Sequence, residues 1–218
     1  EVPYLLMYVD RSVAAGWLIG VVVVLMIRRP PRSTQSRSSA ASDVYKRQQL
    51  ILSEEVVAFE KEIAVLLGTK EAIGVANGSD ALYIALKALN IGEGDYVITT
   101  PYTFFATVSA IVRNGARPLF ADIDPITMNV DLDQVENLLR THPERHRVKA
   151  FIPVHLFGQT CDLDRLASIK STFGIRVVED IAQSIGSTWT DRAGRLQHPG
   201  TVGAVSYPHL RRPTTSPA

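Results

Sequence analysis

The stretch Val177-Val178-Glu179-Asp180-Ile181-Ala182-Gln183 constrains this chain more than any other. Two β-branched apolar residues run into an acidic pair, as a buried parallel strand does when it ends at a site. Open α/β sheets bind their ligands beyond the carboxyl ends of the strands, which makes Asp180 a candidate site carboxylate. Far upstream, Asn77-Gly78-Ser79-Asp80 reads as a turn from strand to helix. Its free amides, glycine backbone and Ser79 hydroxyl suit a phosphate. An anion anchor and a strand-end carboxylate together point to a phosphorylated cofactor with a cationic ring.

Periodicity sets both segments in an alternating series. Residues 54–67 carry Val56, Phe59, Ile63, Leu66 and Leu67 at helical spacing, with Ser53 as cap, Glu54 and Glu55 in the first turn and Gly68 as the stop. Short apolar runs predict strands at residues 72–76, 96–99, 119–123, 148–154 and 175–179. Residues 80–89, 105–113, 132–139 and 162–173 predict helices, the third capped by Asp131 and the last closed by Gly174. Alternation of this kind predicts an α/β fold, a mostly parallel sheet with helices on both faces. The rhythm alone does not separate a Rossmann domain from other doubly wound folds.

Composition matters most at the two ends. The chain has 218 residues, 46% hydrophobic, with net charge +1; that supports one domain with its own core and gives no sign of a nucleic-acid partner. The single Cys161 excludes an internal disulfide, the histidines show no metal-ligand spacing, and a reducing, cytoplasmic setting follows. Residues 13–27 are an unbroken apolar run of 15 between Arg11 and Arg28-Arg29. The run is shorter than the roughly 20 residues a spanning helix needs; read as native, it is a membrane anchor. Residues 28–48 hold six basic residues against the single Asp43, the composition of a disordered linker. Residues 26–34 and 41–48 also resemble translated sequencing-adapter read-through, and residues 206–218 look similar in kind. Residues 1–48 and 207–218 are therefore expected to be non-native or disordered, and residues 49–206 to be the globular part.

Two further segments stand at strand ends, and they join the one at Asp180. Pro101-Tyr102-Thr103-Phe104-Phe105-Ala106-Thr107 places aromatics before a helix, where one could stack on a flat cofactor, although core packing is the commoner use. Asp180 can pair with a protonated pyridine nitrogen and keep the ring an electron sink, with Gln183 in reach of the ring's substituents. The plain alternative for Asp180 is a helix cap or a structural ion pair. His155, in Pro153-Val154-His155-Leu156-Phe157-Gly158-Gln159, reads as a structural hydrogen-bonder before it reads as a base or ligand. The chain contains neither G-x-G-x-x-G nor a Walker sequence, so a Rossmann nucleotide-binding enzyme is disfavoured.

Taken in order over residues 50–206, the segments 75–82, 101–107, 154–159 and 177–186 resemble the DegT/DnrJ/StrS family of sugar aminotransferases. The resemblance implies a pyridoxal 5'-phosphate (PLP) enzyme of fold type I. Its large domain would carry a mixed seven-stranded sheet and sit in a homodimer, and its C-terminal small domain would be missing from this chain. The implied reaction is transfer of an amino group from glutamate to a nucleotide-linked keto-sugar, as in amino-sugar biosynthesis. By position, Gly78 and Ser79 match the family's phosphate-binding pair, Phe104 the aromatic stacked on the ring, Asp180 the partner of the pyridine nitrogen and Gln183 the residue beside the ring hydroxyl. Ser206 matches a further phosphate ligand in the lead-in to the family's lysine motif.

There the likeness breaks. Arg211 stands where the family has its Schiff-base lysine, five residues after the serine, and arginine stays protonated. No lysine follows Lys170, so no catalytic residue is assigned and the chain as written is expected to be inactive. Two other readings stay open. One is a sugar dehydratase of the same family, which uses histidine in place of the lysine; His209 is not at the matching position. The other is a noncatalytic, membrane-anchored binding domain.

Overall fold

The computed structural model describes residues 4–6, 25–27, 54–69, 71–75 and 77–206, with the backbone alone for residues 4–6, 25–27, 54, 55 and 204–206. Near the N-terminus β1 (Tyr4–Leu6) and β2 (Leu25–Ile27) pair antiparallel. Among the described residues no helix is long and apolar enough to cross a membrane. Most of the apolar run 13–27, all of the basic segment 28–48, the Ser53 cap and the tail 207–218 lie outside the described residues.

The chain proceeds through α1 (Glu54–Leu67), α2 (Gly78–Ala88), β3 (Tyr96–Thr99), α3 (Phe105–Arg113), β4 (Arg117–Phe120), α4 (Leu132–Thr141), β5 (Val148–Phe151), α5 (Leu163–Phe173) and β6 (Arg176–Asp180). A small antiparallel hairpin, β7 (Trp189–Thr190) with β8 (Leu196–Gln197), precedes β9 (Ala204–Ser206). Strands β4, β3, β5, β6 and β9 lie in that order in one sheet, and every neighbouring pair is parallel. The sheet is therefore of the type the alternation predicts.

Two cores cover its two faces. Ala81, Leu82, Ala85 and Leu86 of α2 and Ala110 and Ile111 of α3 close over Val97, Ala150, Ile152 and Val178. On the other face Val135 and Leu139 of α4 and Leu163, Leu166 and Ile169 of α5 pack with Ile98, Phe151 and Val202. Successive residues Val97 and Ile98 of β3, and Ala150 and Phe151 of β5, thus feed opposite cores, as the pleat requires. Helix ends follow the sequence signals. Asp131 accepts from the Asp133 N–H at 2.9 Å, Asp162 accepts from the Arg165 N–H at 3.0 Å, and Gly174 closes α5 at φ 64°.

Three strands differ most from the sequence reading, and one hairpin was not expected. Residues 72–75 form no named strand: pairing is confined to a β-bridge at Gly74, whose N–H donates to Glu60 of α1 at 2.9 Å, and Ala76 lies outside the described residues. The strand expected at 119–123 runs Arg117–Phe120, because the chain turns at Asp124, whose carboxylate accepts from the Ile126 and Thr127 N–H groups. β5 ends at Phe151, since Pro153 has no N–H to give, yet its carbonyl accepts from the Asp180 N–H at 2.9 Å and Val154 bridges Asp180. The hairpin β7–β8 carried no periodic signal; it is held by Asp191, whose carboxylate collects the Ala193 and Arg195 N–H groups and both polar side chains Arg195 and Gln197.

Candidate active site

Asp180 is the last residue of β6, at the carboxyl edge of the sheet. Its carboxyl lies on the α2–α3 side, the side of Val178, two residues before it. It is 6% exposed. Oδ1 accepts from the Ala182 N–H at 3.1 Å, while Oδ2 has the Thr107 hydroxyl at 3.4 Å, a long contact. Burial pushes its pKa up to about 6, with the Ala182 N–H opposing the shift. This is a buried carboxylate with bonding capacity to spare, which suits a cationic N–H donor.

Phe104 caps α3, and its carbonyl accepts from the Thr107 N–H at 3.1 Å. One turn of helix therefore separates the Phe104 ring from the hydroxyl that faces Asp180. The ring is 76% exposed, whereas the core aromatic Phe151 is fully buried. An aromatic left in solvent at the rim of a buried carboxylate serves a ligand better than it serves the core. Gln183 lies in the turn after Asp180, and its Oε1 accepts from the Phe157 N–H at 3.0 Å. The Phe157 ring is 6.4 Å from that of Tyr102. Ser206 is the register partner of Asp180 across the β6–β9 ladder.

Asp180, Phe104, Gln183 and Ser206 are thus brought to one stretch of the sheet edge. Gly78 and Ser79 are placed differently. They open α2, which packs against β6 and β9, but no described strand leads into it. Asn77 caps the helix, accepting from the Asp80 N–H at 2.8 Å, and the first backbone bond runs from Ala81 to the Asn77 carbonyl. The Gly78 and Ser79 N–H groups precede that bond and point out of the helix end, as an anion site requires. The side chain of Asp80 is engaged by Asn77 at 2.7 Å and by Arg113 of α3 at 3.3 Å. These bonds tie the first turn of α2 to the last turn of α3, the end away from Phe104.

The opposite face of the same strand end holds Glu179, to which sequence reading gave no role. Glu179 is fully buried. Its Oε1 accepts from the Val202 and Gly203 N–H groups at 2.9 and 2.6 Å, and its Oε2 from the Gly200 N–H at 2.8 Å. His155, also fully buried, places Nε2 3.2 Å from the same carboxylate, and its Nδ1 accepts from the Cys161 N–H at 2.9 Å. With Nδ1 taken by an N–H, the proton that faces Glu179 is on Nε2, and His155 is the structural hydrogen-bonder its context suggested. The strand period of two was the available signal: it sends Glu179 and Asp180 to opposite faces, so the acidic pair serves two purposes.

Comparison with known proteins identifies the family. Residues 31–209 match the DegT/DnrJ/EryC1/StrS aminotransferase family. A pleiotropic regulatory protein of Geobacillus stearothermophilus is 43% identical over 166 residues, 76% of this chain and 42% of that protein. The UDP-2-acetamido-2-deoxy-3-oxo-D-glucuronate aminotransferase of Pseudomonas aeruginosa is 40% identical over 164 residues, 75% of this chain and 44% of the enzyme. The crystal structure of S. venezuelae DesV in complex with a ketimine intermediate superposes with a TM-score of 0.61 at 35% identity, covering 67% of this chain and 38% of DesV. The chain thus spans about two fifths of the length of the relatives it matches. The structural neighbours are PLP-dependent aminotransferases of fold type I, the fold class the resemblance implied. On the extent of the match and the order of its elements, this chain belongs to the DegT/DnrJ/EryC1/StrS aminotransferase family.

Proposed function

We propose that this chain carries the cofactor-binding part of a PLP-dependent aminotransferase that acts on a nucleotide-linked keto-sugar with glutamate as amino donor. Residues 49–206 form its PLP-binding domain, and the complete enzyme works as a homodimer. The observation that carries the reading is Asp180: buried, under-bonded and raised in pKa at the carboxyl end of a central parallel strand. The relatives support the substrate class: by name, one is an aminotransferase of a UDP-linked sugar, one a transaminase of a dTDP-linked aminosugar and one a GDP-perosamine synthase.

The residues fit the cofactor. Asp180 would hold a proton on the pyridine nitrogen, and Thr107 and Ala182 fix the orientation of its carboxyl. Phe104 would cover one face of the ring and exclude water from it. The first-turn amides of α2, the Ser79 hydroxyl and Ser206 would take the phosphate. Gln183, oriented by the Phe157 N–H, would stand beside the ring hydroxyl. When bound, PLP supplies an electron sink for proton transfer at the amino-bearing carbon. The residue that would link covalently to PLP and move that proton is absent here, because Arg211 occupies its expected place. The 218-residue chain therefore binds PLP without a covalent link and transfers no amino group.

The test is a PLP titration of the 218-residue chain followed by borohydride reduction and peptide mapping. The expected result is saturable binding that dialysis reverses, with no stoichiometrically labelled lysine. Labelling of one lysine, together with amino transfer from glutamate to a nucleotide-linked keto-sugar, would overturn the noncovalent part. Failure to saturate would overturn the site itself.

A further inference from the structure

We infer that Glu179 is a positioning residue of the cofactor site: its buried carboxylate fastens the returning chain so that β9 enters beside β6 with Ser206 level with Asp180. The inference rests on the PLP reading above. Every other parallel step in the sheet is made through an α-helix that packs on a face. The step from β6 to β9 passes through the β7–β8 hairpin instead, so helix packing does not set its register. Other groups must set it, and they are found directly before β9.

Glu179 takes the N–H groups of Gly200, Val202 and Gly203, with His155 closing the fourth lone-pair position. Lys170 of α5 holds the other side of the same peptide plane region, its Nζ donating to the Val202 carbonyl at 2.5 Å. Gly203 then passes so close to β6 that a Cβ there would lie 2.4 Å from the Val177 carbonyl oxygen. The next three residues pair with Val178, Glu179 and Asp180 in turn. A carboxylate suits this task because all four of its neighbours are donors, and a carboxamide would turn its own N–H groups towards some of them. The same strand residue pair thus divides the work: Asp180 faces the ligand, and Glu179 holds the neighbouring strand that completes the ligand's surroundings.

The test uses the 218-residue chain with Glu179→Gln and Gly203→Ala, read by residue-resolved amide exchange and by PLP titration. In Glu179→Gln, exchange at Gly200, Val202 and Gly203 should accelerate by roughly tenfold or more, the loss expected for hydrogen bonds to a charged acceptor. Amides of β3 and β4 should keep their protection, and PLP affinity should fall about tenfold. Gly203→Ala leaves the carboxylate intact but displaces the strand, and should show the same pattern; it decides the matter if Glu179→Gln does not fold. Unchanged exchange at residues 200–203, or equal loss across β3 and β4, would overturn the inference. Freed amides with unaltered PLP affinity would overturn the positioning role. If the unsubstituted chain binds no PLP, the functional reading fails, and the exchange data still decide what sets β9.

Discussion

Asp180→Asn should move stability and cofactor affinity in opposite directions. The folded-state pKa of Asp180 is raised from 3.8 to about 6 by burial, so the native state holds its proton more tightly than the unfolded chain. A raised carboxylate pKa means that stability is lost as pH climbs from about 4 through 6, and the loss is complete above that. Two pKa units correspond to roughly 3 kcal/mol at neutral pH in the cofactor-free chain. Asparagine abolishes the penalty. Its carbonyl can keep the Ala182 N–H, and its amide can donate to the Thr107 hydroxyl. Urea melts between pH 4 and 8 should therefore show a flatter profile for the variant and a gain of about 2 kcal/mol above pH 6. PLP affinity should meanwhile drop by roughly ten- to a hundredfold, since the charge-assisted bond to the ring is gone. A variant that loses stability at neutral pH and keeps its affinity would make Asp180 an ordinary structural carboxylate.

The two aromatics Phe104 and Phe151 should behave as opposites. Phe151 is fully buried in β5, between β3 and β6, and Phe151→Ala should cost about 3–5 kcal/mol, enough to leave a chain of ordinary stability close to unfolding. Phe104 is 76% exposed, and Phe104→Ala should change stability by less than about 0.5 kcal/mol. Its effect should appear on PLP affinity, a loss of roughly three- to tenfold from one missing face-on contact. Thermal melts with and without PLP separate the two: Phe151→Ala lowers the midpoint in both, Phe104→Ala only in the presence of cofactor.

The sequence was most readable where burial and punctuation coincide. Strand β3 and helix α3 stand at their expected limits because apolar runs are bounded by Gly94-Asp95, Thr100-Pro101 and Asn114-Gly115. Residues 72–76 show the weakness of the same signal. Five apolar residues look like a strand, but in the described residues pairing is confined to a bridge at Gly74, whose N–H turns to a helix side chain. Asp180 was legible as a strand-end acid. Glu179 was not assigned a role, since its value comes from Gly200, Val202 and Gly203, which a local reading does not connect to it. The same holds for Thr107, whose hydroxyl is brought to Asp180 by the sheet order alone. Gly78 and Ser79 were placed correctly at a helix start, while their tie to Arg113 through Asp80 depends on how α2 crosses the sheet.

The two outer strands of the described sheet are not equivalent. β4 carries Arg117 and Pro118, a charge and a missing donor, both of which discourage another strand from docking there. β9 reads Ala204-Val205-Ser206, with neither device, and it stands at the other end of the order. By these residues alone β4 is the guarded border of the described sheet and β9 the open one, and the open border is the one nearest Asp180.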